Sequence, residues 1–318
     1  GSIRKKRKEC NRINMKTFFR IVNDTLHYVP VESLGFSKDN PYYIPNEYLQ
    51  SKKFMVMRTC HGIGDWILIS AMPRILKEKY PDCKVYLPSQ KLMKKIYGDM
   101  LKSWGYGTFD ASTVPEMIFK SNPYIDGFVD SYQSEIFHDH YKIYNPENDM
   151  IPLLKQMMDF WEIKVEDVNP EFYPTDGEKN WFEKQNFGKY GYICMTSTFD
   201  KTAKADSLIS VWEQYNDKVD SWLVYSENPI ENTSFSFIKN SVIVKDMKLT
   251  IRQQQLLKTK AIVNLGNESG MNLWTAKYSK TYILGNQYYG KIHGERLEGK
   301  RRKRPYKSGN YVSACTYV

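Results

Sequence analysis

The sequence predicts an α/β protein built of two doubly wound, Rossmann-like domains that face each other across a cleft. Its 318 residues exceed the size at which a single core stops growing. Short apolar runs alternate with helical patterns along most of the chain, the mark of parallel sheets covered by helices. Two of those runs end in glycine-bearing loops that open a helix, Gly62-Ile63-Gly64-Asp65 and Gly266-Asn267-Glu268-Ser269-Gly270. Loops of this kind lie at the carboxyl edge of a parallel sheet, where open α/β proteins bind ligands.

The elements follow in order. Phe54 to Thr59 reads as a buried strand, Trp66 to Tyr80 as a helix, Lys84 to Pro88 as a strand and Leu92 to Trp104 as a helix. Asp126 to Asp130 adds a short strand behind the turn Asn122-Pro123. Pro146, Pro152, Pro170 and Pro174 then bracket an amphipathic helix from Leu153 to Trp161, which reads as the interdomain connection. In the second series, Tyr190 to Thr196, Trp222 to Ser226, Ser241 to Val244, Ala261 to Leu265 and a final Tyr282 to Leu284 are strands. Leu208 to Asn216, Ile251 to Lys258 and Met271 to Tyr278 are helices. The expected organisation is a basic tail and irregular segment over 1–50, a first domain over 51–150 and a connection over 151–180. A second domain over 181–286 and a basic tail over 287–318 complete it.

Composition bounds the function classes. Apolar residues make up 41% and aromatic residues 14%, enough for packed cores. No apolar run is long enough to span a membrane, and the basic N-terminus lacks the apolar stretch of a signal peptide. Gly1-Ser2 reads as a cloning remnant and Met15 as an alternative natural start. Cys10, Cys60, Cys83, Cys194 and Cys315 are scattered, so neither a disulfide framework nor a zinc site is indicated, and a cytoplasmic setting is expected. His138-Asp139-His140 sends its two imidazoles to opposite faces of a strand, so no metal site is expected.

The net charge of +10 is uneven. Residues 1–20 hold eight Lys/Arg against one acid and residues 291–307 eight against two, so the ends carry +13 and the remainder −3. Such runs are either solvated tails or attachments to a polyanion. Nucleic acid, held through Lys300, Arg301, Arg302, Lys303 and Arg304, and the anionic surface of a membrane are the two polyanions to consider.

Asp65 stands beside the unpaired N–H groups of a helix start, where it either caps the helix or works on a ligand. The loop Gly266 to Gly270 leaves backbone N–H groups open for a diphosphate, with Glu268 placed for a sugar hydroxyl, or Ser269 merely caps the helix. Thr196 and Ser197, with Lys201 and Lys204 after them, offer hydroxyls and cations to the same group, or are ordinary solvated loop residues. His61, Gly62 and Gly64 flank Asp65 and are candidate substrate contacts. No Gly-x-Ser-x-Gly elbow is present, which argues against a hydrolase.

Gly62-Ile63-Gly64-Asp65, Pro73 to Pro81, Asn122-Pro123-Tyr124-Ile125-Asp126 and Gly266 to Gly270 together resemble the heptosyltransferase-like glycosyltransferases of lipopolysaccharide assembly. The resemblance runs from about residue 54 to 286 and is concentrated in these islands. It implies a GT-B fold, with the acceptor held by the first domain and a nucleotide-sugar donor by the second, and an inverting transfer that needs no metal or other cofactor. It also makes Asp65 the general base, and aligns the acidic position of the family's late Gly-Asn-Asp-Ser-Gly motif with Glu268. The chain departs from the family at Ala71, where a proline is usual, and at Asn272 and Leu273, where a histidine is expected. The sugar is therefore left open. The expected activity is glycosyl transfer to a hydroxyl of a surface glycan. The alternatives are transfer to hydroxylated DNA bases and a non-catalytic nucleic-acid-binding protein.

Overall fold

A computed structural model of the chain describes residues 17–22, 25–30, 53–58, 62–97, 110–131, 136–138, 152–160, 163–195, 205–225, 238, 240–267, 269–284 and 312–318. The chain divides into two units. Residues up to Trp66, 72–144 and 155–166 form the first, and 67–71, 145–154 and 167–318 form the second.

The first unit begins with an antiparallel hairpin, β1 (Thr17–Val22) and β2 (Thr25–Pro30), inside the stretch expected to be irregular. Strand β3 (Lys53–Arg58) follows, and its Phe54, Met55, Val56 and Met57 are fully buried. An unbroken apolar run marks a strand covered on both faces. β4 (Lys84–Pro88) and β6 (Ile136–His138) flank it in parallel and β5 (Gly127–Val129) extends the β4 edge. The resulting order is β5-β4-β3-β6. Strand order reverses at β3, so the loop that carries Asp65 leaves the sheet at its switch point.

The single helix expected over 66–80 is two helices, α1 (Ile63–Ile67) and α2 (Met72–Lys79). Pro73 stands second in α2, where it has no N–H to continue a helix from the preceding turn. Ser70 closes α1 instead, its N–H and its hydroxyl both donating to the Ile67 carbonyl at 3.0 and 2.7 Å. α3 (Gln90–Tyr97) and α4 (Val114–Phe119) complete the cover, and Phe119 meets Trp66 edge-on at 6.4 Å. α5 (Leu153–Phe160) begins among second-unit residues and ends among first-unit ones. The crossover between units is thus more interleaved than one connection over 151–180.

Two of the sequence islands meet here. Asp126 accepts from Lys77 Nζ at 2.7 Å, Lys84 Nζ at 3.0 Å and the Val85 N–H at 2.8 Å, tying α2 and β4 to the turn before β5. Burial works against ionisation of this carboxyl, but the donors outweigh it and hold the pKa at about 2 against an ordinary 3.8.

The second unit opens with an extended segment and α6 (Asp176–Glu183), whose start is a full capping box between Thr175 and Glu178. β7 (Tyr190–Cys194), α7 (Ala205–Tyr215), β8 (Ser221–Tyr225), β9 (Ser241–Ile243) and α8 (Ile251–Lys260) follow. Then come β10 (Val263–Gly266), α9 (Gly270–Leu273), β11 (Lys280–Ile283) and β12 (Cys315–Tyr317). All six strands are parallel in the order β12-β11-β10-β7-β8-β9, which is the full dinucleotide-domain order 3-2-1-4-5-6. The fold class expected from the sequence is therefore present in both units.

β12 is a correction. The sequence reads 287–318 as a basic tail and Tyr282 to Leu284 as the final strand, yet Cys315 to Tyr317 pair with Thr281 to Ile283. One residue in two of β7 faces each side of the sheet. Ile193 packs with Trp222, Val224 and Leu265, while Tyr190, Tyr192 and Cys194 pack with Leu223 and Leu257.

Asp126 generates a testable consequence. A carboxyl whose pKa is depressed on folding stabilises the fold above its unfolded value and loses that contribution as pH falls through the folded one. Asp126→Asn is expected to lower stability by about 2 kcal/mol near neutrality, the scale for hydrogen bonds to a charged group. Urea titrations should show that deficit shrinking as pH falls from 3.8 toward about 2. A pH-independent deficit would assign Asp126 a packing role only.

Candidate functional site

The crevice that the second sheet leaves between the ends of β7 and β10 is where its strand order reverses. Cys194 ends β7 directly opposite Gly266 at the end of β10. Gly266 is required there: a Cβ would collide with the Cys194 carbonyl oxygen and with the Asn272 carboxamide. Main chain and side chain fill the space that any larger residue would need.

Asn272 organises the crevice floor. Fully buried, it donates from Nδ2 to the Asn267 carbonyl at 2.7 Å and to the Cys194 carbonyl at 3.0 Å. Its Oδ1 accepts from Lys258 Nζ at 2.5 Å. One carboxamide thus joins the end of β7, the loop after β10 and helix α8. The Lys258 ammonium is buried and lies 5.5 Å from the centre of the Tyr192 ring. Burial pulls its pKa down, opposed by the Cys194 and Cys315 thiols nearby.

Ser269 takes an extended backbone and caps α9, its hydroxyl accepting from the Asn272 N–H at 3.4 Å. The capping alternative is therefore the role its side chain plays in this structure. Gly270 is the first residue of α9 and is half-buried. Asn267 is buried. The expected helix from Met271 to Tyr278 ends at Leu273, and turns carry the chain through Trp274 to Tyr278.

The Trp274 indole N–H donates to the Glu171 carbonyl at 2.6 Å, and its ring meets Phe172 edge-on at 5.1 Å. The Glu171 N–H in turn donates to the Ser70 hydroxyl at 2.7 Å. Ser70 belongs to the short segment 67–71 that follows α1 and packs with the second unit. Glu171 itself is buried and charge-balanced, accepting from Lys277 Nζ at 2.8 Å and the Tyr173 hydroxyl at 2.7 Å.

In the first unit, Asp65 lies in the first turn of α1, half-buried, at the carboxyl end of β3. Its N–H and that of Trp66 donate to the Gly62 carbonyl at 3.0 and 3.4 Å. Gly62 is buried and Gly64 half-buried. Each predicted loop thus follows one of the two strands between which its sheet reverses order, β3 in the first and β10 in the second. His61, Thr196, Ser197, Lys201, Lys204, Glu268 and Lys300 to Arg304 lie outside the described residues, as do Asp139 and His140.

Lys258 and Asn272 are the residues that sequence reasoning missed. Arg252, Gln255 and Lys258 recur at helical spacing and read as a solvent-facing stripe, but all three are buried. Each has a polar partner across the helix: Glu178, Thr275 and Asn272 respectively. Among the described residues, no cluster of His, Cys, Asp and Glu could hold a metal ion, and no helix is long and apolar enough to cross a membrane.

No protein-family model and no curated protein sequence matches the chain. Solved structures similar to it include a glycosyl transferase family 9 protein from Veillonella parvula, at 11% identity and TM-score 0.48, covering 82% of this chain and 93% of that one. Another is E. coli ADP-heptose LPS heptosyltransferase II, at 11% identity and TM-score 0.44, covering 84% of this chain and 89% of that one. E. coli heptosyltransferase WaaC with ADP stands at 9% identity and TM-score 0.44, covering 84% and 92%. At identities this low, what the chain does has to be argued from its own residues.

The packing at Gly266 makes one substitution informative. Gly266→Ala should force Cys194 or Asn272 to move and cost about 1–3 kcal/mol, the usual scale of overpacking. Thermal melting would read it, and an unchanged melting temperature would mean that the crevice floor yields freely.

Proposed function

We propose that the protein is a glycosyltransferase that moves a sugar from a nucleotide-sugar donor to a hydroxyl acceptor. The observation that carries the reading is the second sheet. Its complete 3-2-1-4-5-6 order is one in which such sheets take nucleotides at the switch point, beside β10, which ends in Gly266, and this supports the reading. The glycine and carboxylate islands that resemble heptosyltransferases support the same reading.

In this scheme the donor diphosphate lies against the Gly266–Gly270 loop. Its growing charge on departure is met by backbone N–H groups, with Thr196, Ser197, Lys201 and Lys204 contributing hydroxyls and cations. Glu268 accepts from a donor hydroxyl. Asp65 takes the proton of the acceptor hydroxyl as the oxygen bonds to the anomeric carbon, on the face opposite the breaking bond to the diphosphate. A single displacement of this kind inverts the anomeric centre. His61, Gly62 and Gly64 line the acceptor side.

Charge stabilisation by amides and lysines leaves no task that only a metal could perform. A surface glycan is the favoured acceptor, and the cytoplasm, where nucleotide-sugars are made, is the proposed setting. The ends of the chain, at +13 against −3 for the rest, favour DNA carrying hydroxylated bases as the second reading.

Mass-spectrometric screening of nucleotide-sugars against glycan and hydroxymethylated-DNA acceptors tests the activity, and absence of any donor hydrolysis or transfer across the panel would refute it. Asp65→Asn should keep donor binding and lower turnover by roughly 100-fold or more. Near-normal turnover would remove Asp65 from the mechanism. Chelator should leave the rate unchanged, whereas loss of activity restored by a divalent ion would overturn the metal-free scheme. For the DNA reading, neutralising Arg301, Arg302, Lys303 and Arg304 should flatten the salt dependence of duplex binding by about one unit of slope per lost phosphate contact. No duplex binding at low salt would rule that reading out.

A further inference from the structure

We infer that Lys258 and Asn272 form a positioning pair for the Gly266–Gly270 loop, setting from beneath the crevice the shape that a nucleoside diphosphate meets. The inference rests on the proposed donor site, and it assigns its geometry to two buried residues that touch no substrate in that scheme.

The argument begins with the orientation of one amide. The Asn272 carboxamide has two distinguishable ends, and only one orientation satisfies its surroundings. Two carbonyl oxygens, of Cys194 and Asn267, need donors, and the Lys258 ammonium needs an acceptor. With Lys258 present, Oδ1 is drawn to the ammonium and Nδ2 is directed at both carbonyls. Without it, the two carbonyls still call for Nδ2, but Oδ1 is left buried with no donor and the amide loses the contact that anchors it to helix α8.

Location gives the pair its consequence. Cys194 ends β7 and Asn267 follows β10, the two strands that flank the switch point, and the Asn272 side chain donates to both carbonyls. The ends of β7 and β10 are already paired at Cys194 and Gly266, and the planar amide fixes where the chain turns away from them. Gly266, between them in the sheet, has no side chain with which to resist collapse, and its α-carbon faces the same carboxamide. Ser269 and Asn272 are coupled again through the α9 cap. A shift of the amide would move both walls of the crevice and the cap together.

Burying an ammonium is costly, and the Lys258 amine is fully enclosed. A leucine or methionine at this place in helix α8 would fill the same volume beside Tyr192 without that cost. Retaining the charged group at the base of the crevice is what a fixed loop geometry requires.

The test compares wild type with Lys258→Met and Asn272→Asp. Lys258→Met keeps the volume and removes the donor. Asn272→Asp keeps an acceptor for Lys258 but offers no donor to the two carbonyls. Calorimetric titration with uridine, adenosine and guanosine diphosphates should show binding of the preferred one about tenfold weaker in either variant, the scale of one well-formed hydrogen bond. The KM for the nucleotide-sugar should rise by a similar factor, with kcat at saturating donor changed far less. Amide hydrogen exchange of the unliganded protein should quicken over 264–274 and stay at wild-type rates in β8 and α7.

Wild-type affinity, KM and exchange in both folded variants would overturn the pair's role. Should Lys258→Met fail to fold, Asn272→Asp decides by the same readings. Acceleration spread over the whole second unit would reduce the pair to general core packing and refute positioning. A wild-type protein that binds none of the three diphosphates counts against the proposed function instead, and local exchange then still decides whether the pair sets the loop.

Discussion

Where a parallel sheet reverses its strand order, the connections that leave the two central strands run to opposite faces, and nothing in the chain path covers the gap between them. Everything proposed for the second unit depends on how the chain is held as it leaves the paired carboxyl ends of β7 and β10. One buried carboxamide bonds the chain on both sides of that exit. Asn272 spans the Cys194 and Asn267 carbonyls, and glycine at 266 leaves room for it. The crevice is a consequence of the sheet order, and these few atoms form its floor.

The same unit buries Glu171, Arg252 and Lys258, and each has a charged or polar partner. Arg252 makes two hydrogen bonds to Glu178 and a third to the Tyr173 carbonyl, with its guanidinium 4.8 Å from the Phe172 ring centre. Glu171 is held by Lys277 and Tyr173. Breaking any of these by removing one partner would leave an uncompensated charge and cost several kcal/mol, whereas apolar replacement of both partners would be far cheaper. Such pairs contribute less to net stability than to a unique arrangement. They tie α6 and the segment before it to α8 and to the turns after α9.

Much of this was legible in the sequence because parallel strands covered on both faces are written as unbroken apolar runs. Phe54 to Met57 and the strand beginning at Tyr190 were placed within a residue or two, and both glycine loops fell at switch points. The long helix over 66–80 was misread because apolar periodicity continues through Leu68 to Ala71, although Pro73 and the Ser70 hydroxyl end one helix and begin another. β12 was missed because three residues carry no pattern, and their place in the sheet comes from pairing with β11. Lys258 escaped for a different reason. A lysine at helical spacing with Arg252 and Gln255 reads as solvent-facing, and only the tertiary partners reveal that the stripe is buried.

The central claim is that a nucleotide-sugar binds at the reversal between β7 and β10, with its diphosphate on the Gly266–Gly270 loop. A crystal structure of the protein with its preferred nucleotide-sugar tests this most directly. The account predicts diphosphate oxygens within hydrogen-bonding distance of backbone N–H groups in that loop, with the Asn272 carboxamide still joining Cys194 to Asn267 beneath them. A nucleotide bound away from the carboxyl ends of β7 and β10 would contradict it.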